Sequence, residues 1–280
     1  MAIKIVTDSA SDIPQRQAKA WGITVLPLTI RFGDEEFQDG VSLTPDRFYD
    51  RLEKGNEFPK TSQITPYVYG LAFADAVHHG DDVVCFCMSS GVSGSYQSAC
   101  FAASDMEGRV FVIDTKQFCI SEYIIVERAV RLRDAGFRAA EIAAIILQEM
   151  EQAHVMAAFD TLEYLKRGGR LSGAAATVGG LLNIKPVLTI TDGVVDVLGK
   201  ARGTRKACDM LLTQIEGMGE IDFTKPFCFG YTGKSDEAMR QFIERFKEHF
   251  TCPEEKIVRV GATIGAYAGS NAFAVAFFTK

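Results

Sequence analysis

The chain reads DVVCFCMSSGVSGSY from Asp82 to Tyr96, and these residues indicate the fold class most clearly. The strand predicted over residues 82–88 is apolar from Val83 onward, which is typical of a strand buried inside a parallel sheet. A loop of Ser and Gly follows it, and a helix is predicted from about Val92 to Asp105. A strand, a short loop and a helix in this order are the first part of a βαβ unit. The stretch therefore predicts an α/β fold.

The same alternation extends over the first half of the chain. Strand patterns occur at 2–7, 23–27, 109–113 and 154–159, and helical patterns lie between them. Repeated βαβ units predict a parallel sheet with helices on both of its faces. The strand at 154–159 is expected to close this series, so we place the end of the first domain near Phe159.

The second half carries a different pattern. Asp192-Gly193 lies between two β-rich runs and predicts a hairpin turn. Further strands and helices follow, and together they predict an α/β domain with a mixed sheet. The expected organisation is an N-terminal parallel-sheet α/β/α domain, residues 1–159, and a C-terminal α/β domain, residues 160–280.

Composition limits the classes of function. The 280 residues are 47% hydrophobic and carry a net charge of −6, which argues against a large nucleic-acid surface. No apolar run approaches the roughly 20 residues that span a bilayer, so stable membrane insertion is not expected. The seven Cys include no Cys-x-x-Cys, and the four His lie far from any Cys or Asp cluster. These patterns predict a cytoplasmic protein with reduced thiols and no metal or other cofactor.

Four polar stretches are unusual for residues that only pack. They are Thr7–Asp12, Lys60–Gln63, Ser89–Tyr96 and Leu165–Ser172. Ligands of open parallel sheets bind beyond the carboxyl ends of the strands, where the first and third stretches fall. A Gly/Ser loop before a helix offers backbone N–H groups and hydroxyls to an anion. Each loop alone is as readily explained by helix capping, but together they favour a shared polar site.

The charge of these loops indicates which anion they suit. Only Lys60 lies within the hydroxyl-rich loops, whereas a multiply charged phosphate usually recruits several Arg or Lys. A single carboxylate needs only two to four hydrogen bonds, so a carboxylic acid is favoured. No His lies in the four stretches, and no nucleophile–base pair stands out. We therefore assign no catalytic residue.

Several of these motifs resemble those of the DegV family, and they occur in order over nearly the whole chain. The motifs are Thr7-Asp8-Ser9, Lys60–Gln63, Ser89–Ala99, Leu162–Arg170 and Ile184–Leu188. The resemblance implies a DegV-like two-domain fold and a bacterial fatty-acid-binding protein. It also implies a non-catalytic subunit that presents the acid to an ATP-dependent kinase subunit, which makes an acyl phosphate for phospholipid synthesis.

The resemblance assigns roles to individual residues. It implies carboxylate contacts from Thr61, Ser62 and the Ser93-Gly94-Ser95 turn. Arg170 and Arg202 match basic surface positions suited to docking the kinase subunit. In two places where the family usually has His, this chain has Tyr231 and Tyr267, and the Tyr267 hydroxyl could still donate to a carboxylate. The ligand-binding set is therefore Thr61, Ser62, Ser93, Gly94, Ser95 and Tyr267.

An acyl ligand also needs a place for its tail. The stretch from Ser172 to Leu182 is rich in Gly and Ala and is predicted to be helical, so it could line or cover a tail tunnel. Close helix-on-sheet packing explains the same composition equally well.

Two other functions stay open at this point. A phosphosugar- or small-anion-binding enzyme would use the Ser/Gly loop as an anion site, with Asp8 or Asp114 as its base. A structural or regulatory protein with an ordinary core would bind no ligand at all.

Overall fold

The computed structural model describes residues 2–55, 57–106, 108–171 and 183–280. The strands in chain order are β1 (Ile3–Asp8), β2 (Thr24–Leu26), β3 (Thr29–Phe32), β4 (Glu35–Gln38), β5 (Lys60–Ser62), β6 (Asp82–Cys87), β7 (Val110–Asp114), β8 (Ala153–Ala158), β9 (Ile184–Thr191), β10 (Val194–Arg202), β11 (Cys228–Tyr231), β12 (Ile257–Arg259) and β13 (Phe273–Phe278). The helices are α1 (Gln15–Trp21), α2 (Pro45–Lys54), α3 (Pro66–His78), α4 (Ser95–Ala103), α5 (Ile120–Asp134), α6 (Ala139–Glu149), α7 (Glu163–Arg167), α8 (Gly203–Met218), α9 (Glu237–His249) and α10 (Ala262–Ala268).

The first sheet is parallel and four-stranded, with the order β2-β1-β6-β7. The apolar run at β6 divides its side chains between the two faces, as a pleated strand must. Val83 packs with residues of α3 and α4 on one face, and Val84 and Phe86 pack with α5 and α6 on the other. The predicted parallel α/β layer is therefore confirmed.

The second sheet is mixed and six-stranded, with the order β10-β9-β8-β13-β11-β12. β8 pairs antiparallel with both β9 and β13. Our placement of this strand in the first sheet is wrong, because the apolar pattern of a strand does not specify its partners. The division of the chain near Phe159 stays a prediction. The predicted turn is present: Asp192 and Gly193 both have a positive φ and connect β9 to β10.

Helix α5 lies between the two sheets. It packs against β1 on one side and against β8 and β13 on the other. Its residues from Ile120 to Glu127 are all buried, as expected of a helix enclosed by two apolar faces. Within the described ranges, no helix is long and apolar enough to cross a bilayer.

A third sheet is small and antiparallel, with the order β4-β3-β5. Its strand β5 contains the predicted polar segment, which we expected to be a loop. Helix α10 was not predicted at all, because the stretch Gly261-Ala262-Thr263-Ile264-Gly265 gives no amphipathic pattern. β5 and α10 contact each other, and both contribute to the cavity described next.

Candidate binding site

A cavity of about 230 Å³ lies where the loop after β6 meets β5, α10 and the second sheet. Its polar lining comes from Thr61, Gln63, Ser93, Arg170 and Tyr267, together with Gly94 and the buried Thr263. Its apolar lining comprises Leu28, Met88, Val92, Phe118, Phe159, Leu165, Val195, Ile264 and Ala268. The cavity therefore has hydrogen-bonding groups and an apolar wall side by side.

Thr61 and Tyr267 meet across the polar part of the cavity. The Thr61 Oγ1 and the Tyr267 hydroxyl oxygen are 2.6 Å apart, so one donates to the other. Gly168 makes room for the Tyr267 ring, because a Cβ at position 168 would lie 2.3 Å from its Cε1. Arg170 covers the same ring with its guanidinium carbon 5.2 Å from the ring centre, a cation–π contact.

The turn at Ser93-Gly94-Ser95 forms the neighbouring wall. Ser93 and Ser95 are linked through their hydroxyls at 3.0 Å, and the Ser95 Oγ also accepts from the Ile64 N–H at 3.3 Å. Ser95 is fully buried and does not line the cavity, so it joins the turn to the segment after β5. Gly94 approaches the Gln63 side chain so closely that a Cβ there would lie 2.1 Å from its Oε1.

The predicted site residues therefore separate into two groups. Thr61, Ser93, Gly94 and Tyr267 line the cavity, and Arg170, which is exposed as predicted, lines it too. Ser62, Ser95 and Arg202 do not line it. Ser62 is exposed, because alternate residues of β5 face opposite sides of the small sheet. Arg202 is exposed at the end of β10, where it pairs with Ile184.

A second cavity of about 70 Å³ continues from the first. The two share Phe118, Phe159, Val195, Ile264 and Ala268, so they form one slot. The floor of the second cavity is the face of the second sheet, where it is lined by Val155, Ala157, Leu188, Thr189, Ile190, Gly230, Tyr231, Thr232, Ala272, Phe273 and Ala274. The slot is polar at one end and almost wholly apolar at the other. The predicted tail-lining stretch from Ser172 to Leu182 lies outside the described residues.

Buried carboxylates hold α10 against this slot. Asp39 accepts hydrogen bonds from the N–H groups of Ala262 and Thr263, both at 3.0 Å. Asp12 accepts from the Gly261 N–H at 2.7 Å. These bonds satisfy N–H groups that the first turn of a helix leaves unpaired. This role was not predictable from the sequence, because Gln38-Asp39-Gly40 is typical of an ordinary surface turn.

Two further buried carboxyls lie under the loops. Asp8 accepts from the N–H groups of Ala10 and Met88 at 2.9 and 2.8 Å. Burial nevertheless raises the pKa of Asp8 to about 7. Burial and the nearby charge of Asp8 also raise the pKa of Glu122, whose Oε1 accepts from the Thr7 hydroxyl. Asp8 thus fixes the loops after β1 and β6 and is enclosed by protein.

Asp114 is the other candidate base, and its carboxylate is engaged in hydrogen bonds and an ion pair. It accepts from the Ser90 N–H at 3.0 Å and from the Ser90 hydroxyl, and it pairs with the Lys116 ammonium at 2.7 Å. Burial alone would raise its pKa, but these bonds hold the pKa of Asp114 below its ordinary value. Such a carboxylate is a weak proton acceptor. Among the described residues there is also no group of three or more His, Cys, Asp or Glu that could hold a metal ion.

The fold and the slot define an α/β protein with a ligand cavity that is polar at one end and apolar at the other. The chain belongs to the DegV family: the family model described as "Uncharacterised protein, DegV family" matches residues 2–280. A DegV domain-containing protein of Caldanaerobacter subterraneus is 33% identical over 279 residues, which cover 99% of each chain.

Two solved structures are also similar. A DegV family protein from Thermus thermophilus, described for its fatty acid binding, superimposes with a TM-score of 0.91 at 31% identity and covers 100% of both chains. A stearic-acid-binding protein from Eubacterium ventriosum superimposes with a TM-score of 0.88 at 27% identity, covering 100% of this chain and 99% of the other. The likeness to both extends over the whole fold.

Proposed function

We propose that this protein binds a long-chain fatty acid and acts as a carrier, without catalysing a reaction itself. The observation that carries the proposal is the continuous slot, which is polar at one end and apolar at the other. A fatty acid has the same two parts in the same order. The fatty acids bound by the similar proteins from T. thermophilus and E. ventriosum support this ligand class.

The head group would lie at the polar end. The Ser93 hydroxyl can donate one hydrogen bond to a carboxylate oxygen, and the member of the Thr61–Tyr267 pair that accepts their mutual bond can donate a second. Arg170 adds a positive charge nearby. Neutral hydrogen bonds contribute only about 0.5–1.5 kcal/mol each after water is displaced. The head group therefore fixes the orientation of the ligand more than its affinity.

The tail would supply most of the affinity. Each buried methylene contributes about 0.8 kcal/mol, so a tail of about a dozen contributes roughly 10 kcal/mol before the costs of binding are subtracted. The apolar residues on the face of the second sheet can bury such a tail, because the slot continues from Val195 to the small side chains Ala157 and Ala274.

Retention of the ligand tests the proposal directly. The protein, purified without detergent, should carry a fatty acid that native mass spectrometry detects and organic extraction releases. Delipidated protein that binds no fatty acid in a titration would falsify the proposal.

The polar end is tested by removing two hydroxyls. Thr61→Val together with Ser93→Ala should weaken binding of palmitic acid about ten-fold, because two hydrogen bonds of roughly 0.7 kcal/mol each are lost. Fluorescence displacement titration measures the effect. Ser62→Ala is the matched control, since Ser62 is exposed and outside the slot, and its affinity should stay within two-fold of the wild type. An equal loss in both proteins would contradict the assignment of the head-group end.

A partner kinase subunit is the second part of the proposal. The resemblance implies that such a subunit phosphorylates the bound carboxylate, and Arg202 is exposed where a partner could dock. Arg170 borders the slot, since its Nε donates to the Val92 carbonyl at 3.2 Å, so we propose that it also helps to close the mouth.

Arg202→Ala should separate docking from binding. The acid should bind with unchanged affinity, because Arg202 is outside the slot. Phosphorylation by an ATP-binding partner subunit from the same cell should slow several-fold, because a docking charge is lost. Phosphate transfer from labelled ATP measures the rate, and Lys200→Ala on the same strand is the control. Wild-type rates for Arg202→Ala would remove the docking role.

A further inference from the structure

The tip of the β9–β10 hairpin separates from the second sheet, whereas the neighbouring strand β8 stays paired with β13 as far as Ala153. β9 pairs with β8 from Val187 to Thr189, and beyond Thr189 the described residues show no further pair between these strands. From Ile190 to Val195 the hairpin is paired only with itself and, at Val195, by a single bridge to Leu171. The tip is therefore a short overhang at the edge of the sheet.

A few contacts hold this overhang against the loop after β6, and we call the contact between Ser89 and Gly193 the clasp. The buried Ser89 hydroxyl donates to the Gly193 carbonyl at 2.7 Å, and the Gly91 N–H donates to Ser89 Oγ at 3.1 Å. The approach requires glycine on both sides. A Cβ at Gly193 would lie 2.3 Å from Ser89 Oγ, and a Cβ at Gly91 would lie 2.8 Å from the Gly193 oxygen.

The clasp connects two opposite walls of the slot. Val92 and Ser93, directly after the clasp, line the slot from the side of the loop. Ile190 and Val195 form a cross-strand pair at the overhang and line the apolar part from the other side. Separation of Ser89 from Gly193 would move these two walls apart and open the side of the slot.

We propose that the Ser89–Gly193 clasp is a gate through which the acyl tail enters and leaves. The proposal rests on the proposed function, since it names the route of the same ligand. A fatty acid tail must pass between apolar side chains without exposing them for long. Within the described residues, the Ser89–Gly193 bond and the Leu171–Val195 bridge hold the overhang, and both can open without breaking the sheet. The bulge between Val197 and Gly199 gives the hairpin a place to bend.

A reversible cross-link tests the gate. An ideal Cβ at Gly91 lies 3.1 Å from Val194 Cγ1, close to the roughly 3 Å between a Cβ and the opposite sulfur of a disulfide. Gly91→Cys and Val194→Cys would be combined with Cys100→Ser, which removes an exposed thiol. Because the new Cβ at position 91 displaces the Gly193 carbonyl, the oxidised and reduced forms of this one variant are compared with each other. The protein is loaded with deuterated palmitic acid, oxidised and mixed with excess unlabelled palmitic acid. Native mass spectrometry then follows the exchange.

The expected result is exchange at least ten-fold slower in the oxidised protein, with the faster rate restored by reduction. Val194→Cys alone, treated in the same way, is the control and should exchange equally in both states. Equal rates before and after reduction of a cross-link verified by mass would overturn the gate. If the wild-type protein holds no palmitic acid, the proposed function fails instead.

Ser89→Ala is a second variant that needs no new side chain in the tight contact. Without the clasp bond, palmitic acid should exchange roughly five-fold faster, the factor expected for one net hydrogen bond. The dissociation constant should change little, because uptake and release both pass through the same opening. An unchanged exchange rate in this variant would also overturn the proposal.

Discussion

Replacing Ala157 by Phe is expected to weaken the binding of palmitic acid about 100-fold and to leave octanoic acid within two-fold. Ala157 is half-buried in the middle of β8 and faces the apolar end of the slot, between its partners Leu188 and Ala274. A phenyl ring there would occupy the space of three or four methylenes, or about 3 kcal/mol of burial. Isothermal titration with acids of increasing length measures the effect.

The dependence of affinity on acid length distinguishes a blocked tail site from a general loss of stability. Ala157→Ser changes the same position by one atom and should bind palmitic acid nearly as well as the wild type. A Phe variant that loses octanoic and palmitic acid equally would contradict a tail that reaches Ala157. Thermal unfolding of both variants should stay within a few degrees of the wild type, because the ring enters space that is already apolar.

Replacing Asp39 by Asn is expected to lower the free energy of unfolding by about 2–3 kcal/mol and to weaken fatty acid binding with it. Asp39 caps the two N–H groups of Ala262 and Thr263 while almost fully buried. An amide offers only one acceptor atom, so one buried N–H would lose its partner, at a cost of about 1–3 kcal/mol. The seven residues of α10 are too few for a stable helix without such support.

Urea unfolding measures the stability, and palmitic acid titration measures the binding. Both should change together, because α10 carries Tyr267 and Ile264 into the slot. Asp34→Asn, in the exposed turn between β3 and β4, is the control and should stay within about 0.5 kcal/mol of the wild type. A stable Asp39→Asn protein would show that the cap contributes little.

The sequence predicted the elements of the first sheet well, because its strands are short apolar runs separated by clear helix signals. It placed β8 in the wrong sheet, since a strand's pattern indicates burial but not partnership. The same limit explains Ser62. As a loop residue it looked equivalent to Thr61, but in strand β5 the alternation of side chains turns one of them away from the slot.

The residues of the polar end could partly be predicted from the sequence, but Asp39, which holds α10 in place, could not. Ser93 and Gly94 stood out because hydroxyl and glycine residues follow an apolar strand. Asp39 did not, because its role depends on Ala262 and Thr263, more than 200 residues away in the chain. The apolar end could not be predicted either, because Ala157 and Gly230 have the sequence pattern of ordinary core residues. They line the same cavity only because their strands belong to one sheet.

The slot on the face of the second sheet makes the cargo, under the proposed function, a replaceable part of the hydrophobic core. A ligand that binds only the folded chain adds about 2.7 kcal/mol of stability when its free concentration is 100 times its dissociation constant. Copies that lack an acid would unfold more often and be removed by proteases sooner. The amount of this protein in the cell would then follow the supply of acyl chains, even with constant synthesis.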